Sequence, residues 1–151
     1  MTLFIDGDAL PRLLKPILLR AITRLDLPSI VVSNKPVTLG SAPEAPVEYL
    51  LVPQGADRAD DRIVELCRPG DLVVTADIPL ADRVVTLGAR ALDHRGTLYT
   101  PDNIKEYLAM RDLMESIRES GEITRGPKPF GPKDAHAFAN VLNAFLSRKP
   151  H

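Results

Sequence analysis

The sequence predicts an α/β fold in which helices cover a central, mostly parallel sheet. Short β-branched apolar runs alternate with amphipathic segments, and glycine or proline separates one from the next. Continuous apolar runs of this kind are typical of parallel strands that are buried on both faces. The chain has 151 residues, of which 44% are hydrophobic, and this is enough for one domain with its own core. We therefore expect a single domain over 1–151, with an α/β core over 1–100 and a helical extension over 101–151.

The strands and helices of the core follow one another in order. Five segments have the apolar composition of strands: Thr2–Ile5, Ser29–Ser33, Val47–Val52, Leu72–Thr75 and Ala89–Leu92. Three segments have an apolar residue every three or four positions, as helices do: Leu10–Arg24, Asp57–Cys67 and Ile78–Leu87. Pro16 lies inside the first helical segment, so we expect that helix to start late or to kink. Residues 36–46, which contain three prolines, are predicted to form a loop.

The extension is predicted to contain two helices. Thr100 and Pro101 combine a hydroxyl N-cap with a proline at the first helical position, so we expect a helix from here to about Glu119. The glycines and prolines of Gly121–Pro132 indicate a loop or tether. Lys133–Leu146 has the periodicity of a final amphipathic helix.

Carboxylates follow four of the predicted strands. They are Asp6 and Asp8, then Asp57, Asp60 and Asp61, then Asp77, and then Asp93, which follows the last strand. Because the carboxyl ends of parallel strands meet at one edge of the sheet, these acids are expected to converge. Close carboxylates raise one another's pKa unless a cation neutralises them, and oxygen ligands suit Mg²⁺ or Mn²⁺. The sequence therefore predicts a metal site formed by acids from these strand ends.

Several of these acids have a structural explanation as well. Asp57 and Asp77 each precede a predicted helix and could act as N-caps, while Asp60 and Asp61 lie in a first turn, where the helix dipole favours acids. Asp6 is different, because an acid at the end of a central strand has no capping role and its burial needs compensation. The pair of Asp6 and its neighbour Asp8 is therefore the strongest sign of a site.

Other residues are candidates for binding a substrate. The hydroxyl of Thr75 at a strand end could bind a ligand, and Arg95 could meet either a phosphate or a carboxylate of the cluster. The basic side chains Arg125, Lys128 and Lys133 could steer an RNA backbone towards the site.

Several classes of site are not supported. The histidines are His94, His136 and His151, and they are too scattered to suggest a zinc triad. The one cysteine, Cys67, has apolar neighbours and is expected to be a packed thiol rather than a nucleophile. There is no glycine-rich phosphate loop, and no apolar stretch reaches the ~18 residues of a membrane span. We expect a cytoplasmic protein that does not enter a membrane.

Longer motifs carry a resemblance to a known family. They are Ile5-Asp6-Gly7-Asp8-Ala9-Leu10-Pro11, Asp57-Arg58-Ala59-Asp60, Gly70-Asp71-Leu72-Val73-Val74-Thr75-Ala76-Asp77-Ile78-Pro79-Leu80-Ala81, Arg95-Gly96-Thr97-Leu98-Tyr99-Thr100, Gly126-Pro127-Lys128-Pro129-Phe130 and Phe138-Ala139-Asn140. Together they resemble the bacterial YaiI/YqxD family over essentially the whole chain. Many relatives have cysteine where this chain has Leu10, so a catalytic thiol is not expected at that position.

The resemblance implies a PIN-like domain, since the YaiI/YqxD family is grouped with the PIN-like proteins. It therefore implies a three-layer α/β/α fold, in which Asp6, Asp8, Asp57, Asp60 and Asp77 correspond to the family's acidic positions. The better-known PIN-like proteins are ribonucleases that depend on Mg²⁺ or Mn²⁺, and many of them form dimers. A metal-dependent ribonuclease and a homodimer are accordingly expected.

Two other functions remain open at this point. One is a non-catalytic PIN-like module that binds RNA or a protein and retains an unused site. The other is a phosphatase-like hydrolase that uses Asp6 as nucleophile and Asp8 as acid or base. The phosphatase would need a lysine near the phosphate, and no lysine follows a central strand in this sequence.

Overall fold

A computed structural model describes residues 1–122, 126 and 128–148, which form a six-stranded sheet and five helices. The strands are β1 (Leu3–Asp6), β2 (Ser29–Ser33), β3 (Val47–Leu51), β4 (Leu72–Val74), β5 (Arg90–Leu92) and β6 (Leu98–Tyr99). The helices are α1 (Leu14–Leu25), α2 (Arg58–Leu66), α3 (Ile78–Thr86), α4 (Ile104–Glu119) and α5 (Pro132–Ser147). The predicted α/β class is confirmed.

The sheet is parallel except at one edge. Its strand order is β3-β2-β1-β4-β5-β6, and only β6 runs antiparallel to its neighbour. The order reverses at β1, because the chain first moves outwards to β2 and β3 and then returns to β4 on the other side. In such a sheet, ligands bind beyond the carboxyl ends of the strands at the reversal point. The carboxyl ends of β1 and β4 therefore mark the place to look for a site.

Alternate residues of the central strands enter two separate cores. Leu3 and Ile5 of β1 pack with α1 and α5, whereas Phe4 packs with residues of α2 and α3. All three side chains are buried, as the period of two along a strand requires. Helices therefore cover both faces of β1, which explains why its sequence is continuously apolar up to Asp6.

Helix α1 starts late, as Pro16 predicted. It begins at Leu14, so Pro16 occupies the first turn, where a backbone N–H has no partner within the helix. The helix ends at Leu25, and Asp26 follows in the left-handed conformation with a φ of 49°.

The structure differs from the prediction at two places in the second half of the chain. Thr100 is not a helix N-cap, because α4 begins only at Ile104, after a turn in which the Thr100 carbonyl oxygen accepts a hydrogen bond from the backbone of Asn103. Strand β6 was not predicted, since a two-residue strand is too short to show an apolar pattern. The only sequence sign of its hairpin is Gly96, which has a φ of 97° in the turn between β5 and β6.

The β5–β6 turn is fastened to the last helix. The Arg95 guanidinium forms an ion pair with Asp134 at 3.0 Å, and it also lies 5.6 Å from the centre of the Phe130 ring. Gly96 approaches the α5 backbone so closely that a Cβ atom would lie 3.0 Å from the carbonyl carbon of Ala137. These contacts hold the first turns of α5 against the β5–β6 turn.

No helix in the described part of the chain is both long and apolar enough to span a membrane. Residues 123–125, 127 and 149–151 fall outside the described ranges, and this applies to the predicted RNA-steering side chain of Arg125 and to His151.

The close approach of Gly96 can be tested by substitution. Gly96→Ala should lower the free energy of unfolding by about 2–4 kcal/mol, because the new methyl group adds overpacking against α5 to the strain of a positive φ. Gly70→Ala is the matched control: its φ is 89°, but nothing lies within 4 Å of the added Cβ, so only the strain of about 1–2 kcal/mol applies. Urea denaturation measures both. Equal losses would contradict the packing described for Gly96.

Candidate functional site

A cleft of about 310 Å³ opens at the carboxyl ends of the central strands. All five of the predicted metal-binding carboxylates line it: Asp6, Asp8, Asp57, Asp60 and Asp77. We call this the acidic cleft. The parallel sheet brings these residues together from three separate parts of the chain, because β1, β4 and the amino-terminal end of α2 meet at this edge. The expected convergence is therefore present in the structure.

Asp6 ends β1 and is more deeply buried than Asp60, the other acid of the cleft with a raised pKa. One carboxylate oxygen accepts a hydrogen bond from the Thr75 hydroxyl at 2.9 Å, and the other accepts one from the Asp8 amide at 3.3 Å. Burial is the main cause that raises the pKa of Asp6 to about 6, and the charges of Asp8 and Asp77 act in the same direction. Asp6 therefore retains a proton well above the pH at which an exposed carboxyl group loses it.

Thr75 connects two parts of the acidic cleft. Its side chain is fully buried, so it is a positioning residue rather than a surface available to a substrate. The hydroxyl donates to Asp6 and accepts a hydrogen bond from the Asp77 amide at 3.0 Å. The predicted contact of Thr75 with a substrate would require this hydroxyl to leave both partners.

Asp77 and Asp60 face each other across the acidic cleft. Asp77 is the N-cap of α3, because its side chain accepts a hydrogen bond from the Leu80 amide at 3.0 Å, which confirms the capping role. Asp60 lies in the first turn of α2. Burial, followed by the charges of Asp77 and Asp6, raises the pKa of Asp60 to about 7. Two acids of the acidic cleft thus have pKa values near neutrality.

Asp57 does not cap its helix. It precedes α2 with a φ of 61°, and its side chain makes no capping hydrogen bond, so the capping explanation was wrong for this residue. A left-handed conformation is uncommon for residues other than glycine. Ala9, which also lines the acidic cleft, has a φ of 68°. Two strained backbone positions therefore flank the carboxylates.

Asp8 holds the loop after β1 against the end of β2. Both of its carboxylate oxygens lie 3.1 Å from the backbone nitrogen of Asn34 and accept its hydrogen bond. Asp8 therefore has a structural role in addition to its position in the acidic cleft.

Three further acidic or basic candidates have partners elsewhere. Asp61 is exposed and pairs with Arg83 at 2.9 Å. Asp93 accepts hydrogen bonds from the amides of Arg95 and Thr97 and so shapes the β5–β6 turn. Arg95 itself is held by Asp134. Its predicted contact with phosphate would require it to release α5.

Among the described residues of the tail, Lys128 and Lys133 do not line the acidic cleft. Lys128 is exposed, and its carbonyl oxygen accepts a hydrogen bond from Arg95. Lys133 is exposed in the first turn of α5. Cys67 is buried and free, and burial raises the pKa of its thiol to about 11, as expected for a packed cysteine.

A family comparison agrees with the motifs of the acidic cleft. The family described as "Uncharacterized BCR, YaiI/YqxD family" matches residues 4–148. The chain belongs to the YaiI/YqxD family. This match includes every carboxylate of the acidic cleft, so the cleft lies wholly within the family's shared region.

Relatives match along nearly their full length. The UPF0178 protein of a Nitratiruptor species is 68% identical over 148 residues, which is 98% of this chain and 96% of the relative. The UPF0178 protein of a Sulfurovum species is 65% identical, covering 98% of this chain and 99% of the relative. That of Maridesulfovibrio salexigens is 45% identical, covering 98% and 97%. These names assign no substrate.

No solved structure matches this member of the YaiI/YqxD family. The PIN-like assignment therefore stays a prediction, and the function has to be argued from the acidic cleft itself.

The donor chemistry of the acidic cleft fits a hard divalent cation. Its carboxylates are oxygen ligands of the kind that Mg²⁺ and Mn²⁺ prefer, and burial, together with the charges of neighbouring carboxylates, raises the pKa values of Asp6 and Asp60. Within the described ranges, however, no three histidine, cysteine, aspartate or glutamate side chains are arranged to hold a metal ion as they stand. Binding by Asp6, Asp60 and Asp77 would require their carboxylates to move closer together.

Of the residues that line the acidic cleft and were not predicted as site residues, two have ionisable side chains. They are Arg58 at the start of α2 and His94 in the β5–β6 turn. The sequence gives a weak signal for both: Arg58 lies between Asp57 and Asp60, and His94 follows a predicted strand end. Burial lowers the pKa of His94, so its ring is neutral near pH 7.

The raised pKa of Asp6 predicts a pH-dependent effect on stability. The unfolded chain loses this proton near the ordinary value of 3.8 and the folded chain near 6, so ionisation disfavours the folded state increasingly across that interval. Asp6→Asn removes the ionisation. The variant should be more stable than the wild type by about 3 kcal/mol at pH 8, in metal-free buffer.

Urea denaturation at pH 4 and pH 8 measures this effect. At pH 4 the difference between the two proteins should be small, because Asp6 is protonated in the folded wild type. A variant that is less stable than the wild type at pH 8, or a difference that does not change with pH, would contradict the burial assigned to Asp6.

Proposed function

We propose that the protein is a metal-dependent hydrolase of phosphodiester bonds in RNA, with the acidic cleft as its active site. The observation that carries the proposal is the raised pKa of both Asp6 and Asp60 in one cleft at the reversal point of a parallel sheet. A chain that places these carboxylates together gains little stability from them without a cation. A site that binds a cation explains their proximity.

The proposed metal-binding residues have separate roles. Asp6, Asp60 and Asp77 would hold Mg²⁺ or Mn²⁺, with Asp8 and Asp57 contributing through water. Such an ion lowers the pKa of a bound water and stabilises negative charge on phosphate oxygens. Thr75 would keep Asp6 in place through its hydrogen bond of 2.9 Å. The catalytic assignment of Asp6, Asp8, Asp60 and Asp77 follows from these positions.

RNA is the proposed substrate because of the family resemblance to PIN-like ribonucleases. Lys128 and Lys133 are exposed beside and at the start of α5, and exposed cations of this kind attract a phosphate backbone. Arg95 would join them only after releasing Asp134. The proposed location is the cytoplasm, which suits a free, buried Cys67. The homodimer remains a prediction that analytical ultracentrifugation would test.

The alternatives make different demands on the acidic cleft. A phosphatase would need a lysine beside Asp6 and Asp8, and among the described residues no lysine lines the cleft. A non-catalytic module would bind RNA and leave it intact, whether or not a cation is present. The test of the proposal therefore has to measure turnover as well as binding.

The decisive experiment is cleavage of a mixture of single-stranded and structured RNA. The wild type should cleave it with Mn²⁺ and lose activity when EDTA is added. Asp6→Asn should lower the rate by about 100-fold or more, since even residues that only support metal ligands cost about 10–100-fold. Asp82→Asn is the control, because Asp82 lies outside the acidic cleft and pairs with Lys105. Cleavage that persists in Asp6→Asn would remove the assigned site.

Thermal melting gives an independent measure of the cation site. Mn²⁺ at millimolar concentration should raise the Tm of the wild type, because an ion that binds only the folded state stabilises it. The shift should be smaller in Asp6→Asn than in Asp82→Asn. A wild-type Tm that is the same with and without Mn²⁺ would overturn the metal-dependent function.

A further inference from the structure

His94 has an unusual position in the wall of the acidic cleft. The residue is only 9% exposed, and its Nε2 atom is shielded from solvent. Within the described residues this nitrogen has no hydrogen-bond partner, and it is the only buried side-chain nitrogen or oxygen there with that property. Buried polar atoms are nearly always paired, so an exception calls for a partner that binds at that place. His94 lines the acidic cleft, and the cleft can supply that partner.

Arg58 provides a second donor in the same cleft. It is exposed at the first residue of α2, and its guanidinium has neither an ion pair nor a hydrogen bond to any described residue. The other arginine of α2, Arg62, pairs with Glu65, and Arg83 of α3 pairs with Asp61. A free guanidinium among carboxylates is therefore available to an anion.

We propose that the Nε2–H of His94 and the guanidinium of Arg58 bind oxygens of the substrate's phosphoryl group in the acidic cleft. The inference rests on the proposed function, because it assumes a phosphodiester substrate. It adds residues that recognise the phosphate. The carboxylates cannot do this, because they are negatively charged themselves. Phosphate oxygens accept hydrogen bonds strongly from charged donors such as arginine, and arginine can offer two parallel donors to them.

A role in binding the cation fits these two residues less well. A guanidinium is always protonated and cannot ligate a metal ion. A neutral imidazole carries one N–H, and donation from Nε2 to a phosphate oxygen satisfies the atom that lacks a partner.

The carboxylates impose a condition on this binding. Asp6, Asp60 and Asp77 repel a phosphate while they are ionised, so His94 and Arg58 should bind it well only when a divalent cation neutralises the cleft. The proposal therefore predicts that phosphate affinity depends on Mg²⁺, whereas Mg²⁺ affinity does not depend on His94.

The test measures binding of inorganic phosphate and of Mg²⁺ separately, by calorimetry, in the full chain. His94→Leu and Arg58→Ala should each weaken phosphate binding by about tenfold at saturating Mg²⁺. His94→Gln should retain most of the affinity, because its amide nitrogen can take the place of Nε2. His136→Leu and Arg62→Ala are matched controls outside the acidic cleft, and neither should change phosphate binding.

Nitrogen-15 NMR of the wild type makes the test independent of how well the variants fold. The His94 Nε2 resonance should show a protonated nitrogen that shifts when phosphate is added with Mg²⁺. A resonance that phosphate leaves unmoved, or a His94→Leu variant with wild-type phosphate affinity, overturns the inference while the metal-dependent function stands. Equal loss of Mg²⁺ and phosphate affinity in His94→Leu also overturns it. A wild type that binds neither probe overturns the proposed function as well.

Discussion

The hydrogen bonds of the buried Thr75 hydroxyl hold the acidic cleft together. This one group donates to Asp6 at the end of β1 and accepts from the amide of Asp77 after β4. The two strands are neighbours at the point where the strand order reverses. Asp6 can remain in a position that burial disfavours because this neighbour stabilises its carboxylate, while the packed strands on both sides prevent it from turning away. The junction of β1 with β4 and the position of Asp6 in the acidic cleft thus share the same contact.

The fold was predictable wherever a segment carries its own signal. Strand β1 and its neighbours are runs of apolar residues that only a buried parallel strand accommodates, and Pro16 correctly placed the start of α1. The predicted start of α4 was wrong because Thr100 and Pro101 form a turn with Asn103 before the helix begins. Strand β6 depends on pairing with β5, and its two residues contain no such information on their own. The residues of a segment thus predict most of the helices and strands, whereas a strand such as β6 depends on pairing with another part of the chain.

The residues of the site also differ in how far the sequence predicts them. The carboxylates were predictable because a parallel sheet brings strand ends together, whatever the details of packing. Asp57 and Asp77 could not be distinguished from the sequence, yet only Asp77 caps its helix. The proposed roles of Arg58 and His94 rest on side-chain nitrogens that have no hydrogen-bond partner among the described residues. A sequence does not show such an absence. Thr75 likewise becomes a positioning residue only once its complete burial is known.

The attachment of the β5–β6 turn to α5 has a consequence during protein synthesis. His94 lies in that turn, and the adjacent Arg95 is held by Asp134, which is added about forty residues later in the chain. The residues that line the acidic cleft, from Asp6 to His94, are all synthesised before α5. The wall that contains His94 becomes braced only when α5 emerges. The core beneath the sheet is completed at the same time, because Phe138 and Leu142 of α5 pack with Leu3 and Ile5 of β1.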